Sequence, residues 1–208
     1  EKGLIVIGDI KRGDIASTAK AYATAHLSGP FACDGVTLNP LMGTDSIEPF
    51  VDMCKEHGKG GFILVKTSNP SSKEFQNLLI GEKPLYLYIA HKVEDWGAEL
   101  VGGYGYSSIG AVVGATYPQE AKELRQAMPH TFFLVPGFGD QGAKAEDVVS
   151  CFDERGLGAI INSSRGIIGA HLKEEGKDVS LKDFQSFLRE AVEKMQRKLL
   201  KALRESGK

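Results

Sequence analysis

Three charged side chains near the N-terminus have the types and the spacing of a catalytic cluster. An apolar run at residues 3–8 leads into Asp9, Lys11 and Asp14, in the pattern D-x-K-x-x-D. Because residues two apart on a strand face the same side, Asp9 and Lys11 project together, and Asp14 falls in the turn or first helical turn that follows. A preorganised ammonium can stabilise a developing negative charge and then supply a proton. Buried charge is costly unless paired, which favours a functional role in a protein interior, although the spacing alone also fits a structural Asp–Lys ion pair followed by a helix cap.

The later predicted strands also end in hydrogen-bonding residues, glycine or proline. In folds built from parallel strands and helices, ligands bind beyond the carboxyl ends of the strands. These ends comprise residues 34–46, 66–72, 114–118, 136–142 and 162–166. Together with Asp9 and Lys11 they predict one ligand-binding rim.

The last two strand ends predict a phosphate site. A glycine-rich loop at 136–142 precedes a predicted helix, and such a loop exposes backbone N–H groups that suit a phosphate. Arg165, at the end of the last strand, adds a planar cationic fork for phosphate oxygens. Taken alone, the Pro-Gly-x-Gly sequence of this loop is also typical of a tight turn, but its pairing with Arg165 favours phosphate binding.

Alternating short apolar runs and helical patterns must position these residues. Nearly continuous apolar runs, such as 61–65 and 131–135, are typical of parallel strands buried on both faces. The alternation predicts an α/β fold, either a doubly wound sheet or a (β/α)8 barrel. The predicted strands lie at about 4–9, 33–38, 61–66, 110–114, 131–135 and 158–163. The predicted helices lie at about 15–27, 46–57, 85–101, 118–127, 144–155 and 181–205.

The chain has 208 residues without a linker or repeat, which predicts a single domain over 1–208. The C-terminal helix, capped by Ser180, carries an apolar stripe that favours packing against the domain over an interface with a partner. Six strand–helix units are visible, whereas a closed barrel has eight and usually about 250 residues.

Composition argues against several classes of function. The formal charge of −2 and the pI near 6.3 disfavour nucleic-acid binding, and no apolar run is long enough to span a membrane. The N-terminus lacks the layout of a signal peptide. Cys33, Cys54 and Cys151 are far apart and odd in number, which suits reduced thiols in a cytoplasmic protein. No spacing of histidines or cysteines predicts a metal site.

Six segments along the chain resemble, in order, the motifs of orotidine 5′-monophosphate decarboxylase. Within that family they are most similar to the longer bacterial group, type 2, and the resemblance extends from residue 1 to about 170. The segments are 9–23 (DIKRGDIASTAKAYA), 37–46 (TLNPLMGTDS), 66–70 (KTSNP), 110–118 (GAVVGATYP), 135–142 (VPGFGDQG) and 162–166 (NSSRG).

The resemblance implies a dimeric (β/α)8 barrel that converts orotidine 5′-monophosphate to UMP, the last step of de novo pyrimidine nucleotide synthesis, without a metal or organic cofactor. It implies that Asp9 lies against the substrate carboxylate and that Lys11 delivers a proton to the ring carbon that loses carbon dioxide. It further implies that Asp14 and Thr18 reach across the dimer interface into the neighbouring site.

The resemblance also implies a set of substrate-binding residues. Ser68 would hydrogen-bond the pyrimidine, Pro136 would lie against the ring, and Gln141 and Arg165 would bind the phosphate. The implied set is completed by Asn39 and Gly166.

The chain departs from the family pattern in two places. The family has another lysine at the end of the second barrel strand and a ribose-binding aspartate at the end of the first, and neither has a counterpart here. We therefore expect that the first two βα units are missing from this chain and that the chain alone does not form a closed, fully active barrel. In addition, Lys66 stands where the group often has arginine.

Two other functions remain open from the sequence. One is a magnesium-dependent sugar-phosphate decarboxylase or aldolase of the same barrel superfamily, which would use D-x-K-x-x-D differently. The other is a truncated, non-catalytic binder of nucleotide phosphates.

Overall fold

The computed structural model describes residues 3–139, 142–173 and 179–208. Its main sheet has six parallel strands in the order β1-β2-β3-β6-β7-β8, so neighbours in the sheet follow one another along the chain. The strands are β1 (Ile7–Arg12), β2 (Gly35–Leu38), β3 (Gly60–Lys66), β6 (Ser107–Val113), β7 (Thr131–Val135) and β8 (Ala159–Ile161). This arrangement confirms the predicted α/β class and places the strand ends along one edge.

Helices occupy the connections between these strands and also follow the last one. They are α1 (Ala16–Leu27), α2 (Thr44–His57), α3 (Lys73–Gln76), α4 (Leu85–Gly97), α5 (Pro118–Ala127), α6 (Ala145–Val148), α7 (Ser164–Ile168) and α8 (Leu181–Glu205). A small antiparallel hairpin, β4 (Leu79–Ile80) with β5 (Lys83–Pro84), lies between α3 and α4. The sequence patterns predicted neither α3 nor this hairpin.

The two faces of the main sheet differ in burial. On the face covered by α1, α2 and α4, side chains such as Ile63, Val65 and Phe133 are fully buried in one hydrophobic cluster. On the opposite face, Leu64 and Leu134 are only partly buried. The expectation of strands buried on both faces is therefore wrong for this second face. Its side chains line a cavity, and β1 and β8 form the two edges of the described sheet.

Several elements differ in extent from the sequence expectation. Strand β1 begins at Ile7 instead of residue 4, because the N–H of Val6 donates to the side chain of Asp34 (2.9 Å) and not to a neighbouring strand. Helix α6 ends at Val148 and continues only as a 3-10 turn to Cys151. The carboxylate of Asp153 then accepts two backbone N–H groups and forms a turn.

Helix α8 packs against α6 and α7. The Oγ of Ser180 accepts the N–H of Asp183 at 3.2 Å, which caps the helix as its sequence indicates. Within the described residues, no helix combines the length and the apolar character needed to cross a membrane.

Candidate active site

A cavity of about 760 Å³ opens at the edge of the sheet where the strands end. This volume lies in the range of small-molecule sites. Its floor is apolar, from Leu64, Val112, Leu134 and Ile160, and its polar lining comes from the ends of several strands. The polar lining residues are Asp9, Lys11, Thr37, Thr67, Ser68, Asn69, Asn162 and Ser164. An apolar base with a few convergent polar groups is the usual composition of a binding site.

Asp9 and Lys11 form an ion pair in this cavity, as the spacing predicts. The Lys11 Nζ donates to the Asp9 Oδ1 at 2.5 Å, and the Oγ1 of Thr37 donates to the same oxygen at 2.9 Å. The side chains of Lys11 and Asp9 are 51% and 66% exposed. The expectation that this pair is buried in the interior is therefore wrong for the described residues, since the pair lies on β1, an edge strand of the sheet.

The backbone around the pair is strained. Lys11 has φ of +46° and Ala16 has φ of +49°, and these are the non-glycine residues with positive φ in the described chain. Such a conformation costs about 1–2 kcal/mol for an L-residue. The pairing of β1 with β2 also shifts register between Gly8 and Arg12. Strain of this kind persists only where the surroundings impose it, and it is concentrated at functional sites.

The carboxyl of Asp9 is held in its ionised form. Partial burial alone would raise its pKa, but the hydrogen bonds from Lys11 and Thr37 and the charge of Lys11 outweigh burial, so its pKa is lowered. An ionised carboxylate therefore lies directly beside an ammonium at the cavity wall.

Three of the predicted site residues that precede β3 lie outside the described lining of this cavity. Asp14 precedes α1 and accepts the N–H of Ile15 on its Oδ1 at 2.8 Å. Thr18 is exposed on α1. Asn39 follows β2, where its Oδ1 accepts the N–H of Leu41 at 3.0 Å and shapes the turn. Within the described residues, no hydrogen bond or ion pair joins any of the three to Lys11.

Ser68 lies in the cavity and is fixed by its neighbours. Its carbonyl accepts the hydroxyl of Thr116 at 3.0 Å. A Cβ on Gly114 would lie 2.7 Å from the backbone nitrogen of Ser68, so only glycine allows β6 and this loop to approach so closely. The adjacent Thr67 is held by Gln76, whose Oε1 accepts its N–H and whose Nε2 donates to its hydroxyl, both at 2.9 Å.

Lys66 anchors the same loop from below. It is fully buried, its Nζ donates to the Oδ1 of Asn77 at 2.5 Å, and the ammonium lies 4.4 Å from the ring centre of Tyr117. Burial lowers the pKa of this amine. The sequence showed only that lysine stands here in place of arginine, because its aromatic and amide partners lie 11 and more residues away in sequence.

Next to the cavity, the strand ends of β7 and β8 form a small recess. Its lining includes Pro136, Gly137, Asn162, Arg165 and Gly166. Pro136, Asn162 and Ser164 line both this recess and the main cavity, so the two spaces are adjacent. This recess brings together the predicted ring-contacting Pro136, the predicted phosphate ligand Arg165 and the predicted substrate-binding Gly166.

The glycine-rich loop is tied to the end of β8. Gly137 and Gly139 have φ of +101° and +81°, which favours glycine at both positions. The hydroxyl of Ser163 donates to the carbonyl of Phe138 at 2.9 Å, and a Cβ on Gly166 would collide with that hydroxyl. The remaining predicted phosphate ligand, Gln141, lies outside the described residues.

Across the described part of the chain, no group of three His, Cys, Asp or Glu side chains is arranged to hold a metal ion. The functional residues that sequence reasoning missed are Thr37, Gly114 and Lys66. Thr37 contacts Asp9 and Lys11, and Gly114 lies against Ser68, from different strands, whereas Lys66 is bonded to Asn77 in the segment after α3; the sequence carries no local pattern for these contacts.

The sequence is similar to characterised enzyme families. A family model described as orotidine 5′-phosphate decarboxylase / HUMPS family matches residues 1–178. The chain is 53% identical over 181 residues to the orotidine 5′-phosphate decarboxylase of Clostridium botulinum strain Loch Maree, covering 86% of this chain and 63% of that protein. It is 49% identical over 179 residues to the orotidine 5′-phosphate decarboxylase of Caldicellulosiruptor bescii, covering 82% and 59%.

The fold is similar to that of a solved structure, Leishmania donovani OMP decarboxylase. The TM-score is 0.75 with 32% identity, over 96% of this chain and 70% of that one. The prediction of a (β/α)8-type barrel, with about six of its βα units in this chain, is confirmed by this match and by the six parallel strands. The chain spans about 60% of the length of the two bacterial relatives.

Proposed function

Because the chain belongs to the orotidine 5′-phosphate decarboxylase / HUMPS family, we propose that it forms the active site of an orotidine 5′-monophosphate decarboxylase. The reaction would release carbon dioxide and leave UMP, the last step of de novo pyrimidine nucleotide synthesis. The observation that carries the proposal is the Lys11–Asp9 ion pair, which lies in a cavity adjacent to the Arg165 recess.

The geometry suits a substrate with a phosphate at one end and a carboxylate at the other. Arg165 and the backbone around Gly166 would bind the phosphate, and Gln141 would assist them. Pro136 would lie against the pyrimidine ring and Ser68 would hydrogen-bond it. Binding energy from the phosphate, which is remote from the reacting bond, can then align the ring over the ion pair.

The ion pair supplies the chemistry. Loss of carbon dioxide leaves a carbanion at a ring carbon, and the Lys11 ammonium would stabilise that charge and then protonate the carbon. Asp9, kept ionised by Lys11 and Thr37, would lie near the substrate carboxylate and hold the ammonium in place. The reaction as proposed needs no metal or organic cofactor.

We further propose that the active protein is a homodimer in which Asp14 and Thr18 complete the neighbouring site. Asp14 lies just before α1 and Thr18 lies in its first turn, so both follow closely after the end of β1 that carries Lys11. Thr18 is exposed. Asn39 would support this region by shaping the turn after β2. We also propose that 1–208 folds as one domain and that the protein is cytoplasmic, which its three free thiols support.

The test is decarboxylation of orotidine 5′-monophosphate by the full chain in excess EDTA. The reaction is measured as the loss of substrate absorbance. The Lys11→Ala variant is expected to lose turnover and to retain UMP binding, measured by calorimetry. Lys20→Ala, which removes an exposed lysine from α1, is the matched control and should keep the wild-type rate.

Three results would contradict the proposal. The first is turnover by Lys11→Ala at a rate close to that of the wild type, which would show that Lys11 is not the proton donor. The second is activity that disappears in EDTA and returns with Mg²⁺, which would favour the metal-dependent relatives. The third is UMP binding without any turnover by the wild type, which would favour a binding function.

A further inference from the structure

The buried hydroxyl of Thr37 joins the two charged residues of the site. Its Oγ1 lies 2.9 Å from the backbone nitrogen of Lys11 and 2.9 Å from the Oδ1 of Asp9. The backbone N–H can only donate, so the hydroxyl accepts from Lys11 and its own proton goes to Asp9. The side chain is 1% exposed, so water does not replace these two bonds.

The Lys11 backbone depends on this hydroxyl. Lys11 lies where β1 and β2 lose their regular register, between the pairs Gly8–Val36 and Arg12–Leu38. Its N–H donates to the Thr37 side chain where a regular strand residue would donate to a backbone carbonyl, and its φ of +46° sets the direction of the side chain. An unusual backbone conformation of this kind needs a fixed partner.

We propose that Thr37 is a positioning residue, which sets the backbone of Lys11 and the carboxylate of Asp9 so that the ammonium is aimed into the cavity. The proposal rests on the function proposed above. Thr37 need not touch the substrate, because its hydroxyl has its donor and one acceptor position already in use. The lowered pKa of Asp9, to which Thr37 contributes, agrees with this role.

Valine and serine separate the two roles of the threonine side chain. Thr37→Val keeps the branched shape but removes both hydrogen bonds, and Thr37→Ser keeps the hydroxyl but loses the methyl group. A matched control is Thr131→Val, because Thr131 is equally buried on a strand and its hydroxyl also donates to a carboxylate, Glu94, at 2.7 Å. Thr131 lies at the start of β7, at the end of the sheet opposite to the carboxyl ends of the strands that carry the cavity.

The kinetic experiment measures kcat and KM for orotidine 5′-monophosphate. Thr37→Val is expected to lower kcat by about 10- to 100-fold, the loss typical of a hydrogen bond to a charged group, with KM changed less than about threefold. Thr37→Ser should recover most of kcat. Thr131→Val should lose stability in thermal unfolding but keep kcat. Equal kcat for Thr37→Val and wild type would overturn the proposal.

A second readout does not depend on turnover. The pKa of Asp9 can be followed by NMR of ¹³C-labelled carboxyl groups in the full chain, with the signal assigned by Asp9→Asn. The charged residues among the described cavity lining are Asp9 and Lys11, so Lys11 is the neighbour whose charge must be considered. The pKa should rise in Thr37→Val, return in Thr37→Ser and stay unchanged in Thr131→Val.

The two readouts distinguish the positioning role from the reaction. If the Asp9 pKa responds as expected but the wild type shows no turnover, the positioning role stands and the proposed function fails. If the Asp9 pKa is the same in wild type and Thr37→Val, the positioning role fails whether or not the protein is active. Should Thr37→Val not fold, Thr37→Ala provides the same comparison.

Discussion

Replacing Arg125 by methionine tests what stabilises the end of the sheet where β7 and β8 begin. The guanidinium of Arg125, on α5, donates five hydrogen bonds of 2.8–3.1 Å to the carbonyl oxygens of four residues. These residues are Met128, Thr131, Cys151 and Gly158. The group also stacks on Phe133, 3.6 Å from the ring centre. One side chain thus joins α5 to the starts of β7 and β8.

The cost of the substitution follows from these contacts. Methionine keeps an unbranched stem against Phe133 but removes all five hydrogen bonds, although the carbonyls of Met128 and Gly158 still accept the N–H groups of Thr131 and Phe133. Burial lowers the pKa of Arg125, yet the group remains charged at neutral pH, so its hydrogen bonds are of the stronger, charge-assisted kind. Because water can reach part of this site in the variant, we expect a loss of about 3–5 kcal/mol in the free energy of unfolding. For a chain of this length the corresponding fall in Tm is about 6–20 °C.

The assay is urea and thermal unfolding followed by circular dichroism at pH 7. Lys122→Met, which changes an exposed residue of the same helix, is the matched control and should leave Tm within about 2 °C. Arg125→Lys keeps the charge without the fork, and we expect about half of the loss. A fall in Tm of less than about 3 °C for Arg125→Met would refute the reasoning. If that variant does not fold, the Arg125→Lys result decides.

Three other predictions concern the site and the pH dependence of stability. Gly114→Ala places a Cβ 2.7 Å from the backbone of Ser68, so UMP affinity measured by calorimetry should fall about tenfold, while Gly103→Ala, which has open space around it, should not change it. Arg165→Ala should weaken UMP binding by about 2–4 kcal/mol, or roughly 30- to 1000-fold in Kd, and wild-type affinity in the variant would contradict the phosphate assignment. For Asp153, partial burial raises the pKa, but donors from Tyr106, Leu157 and Arg155 outweigh it and bring the pKa to about 2. Its stabilising effect is therefore complete above about pH 5 and lost progressively as the pH falls through about 2, so Asp153→Asn should cost about 1–2 kcal/mol in urea unfolding at pH 7 and much less at pH 2.

The fold could be predicted wherever burial leaves a local signal in the sequence. The apolar run at 131–135 coincides with β7, since a strand buried among its neighbours must be apolar along its whole length. The expected bounds were wrong where a side chain replaces a backbone partner. Asp34 takes the N–H of Val6 and delays β1, and Asp153 ends the segment that begins as α6. Neither aspartate differs in local sequence from an ordinary surface residue.

The site could be predicted only in part, for a related reason. Asp9 and Lys11 are two residues apart on one strand, so their ion pair follows from strand geometry alone. Thr37 reaches the same pair from the next strand, 26 residues from Lys11, and Gly114 reaches Ser68 from another. Contacts of this kind depend on register between strands, which the sequence of one strand does not specify. The catalytic and binding roles of all the predicted site residues, from Asp9 and Lys11 to Arg165 and Gly166, stay predictions.

The carboxyl ends of the strands carry a strained backbone and the amino ends carry a stabilising hydrogen-bond network, so mutations at the two ends should have different effects. At the carboxyl ends of the strands, beside the cavity, Lys11 is in a strained conformation and its side chain is half exposed. At the amino ends of the strands, the guanidinium of Arg125 donates to carbonyls at the starts of β7 and β8. Lys208 donates in the same way to the carbonyls of Val149 and Phe152. The strained backbone of Lys11 persists only if the rest of the fold is stable enough to impose it. Substitutions at Arg125 should therefore lower stability without changing UMP affinity as long as the chain stays folded, whereas Thr37 substitutions should change the reaction more than the stability.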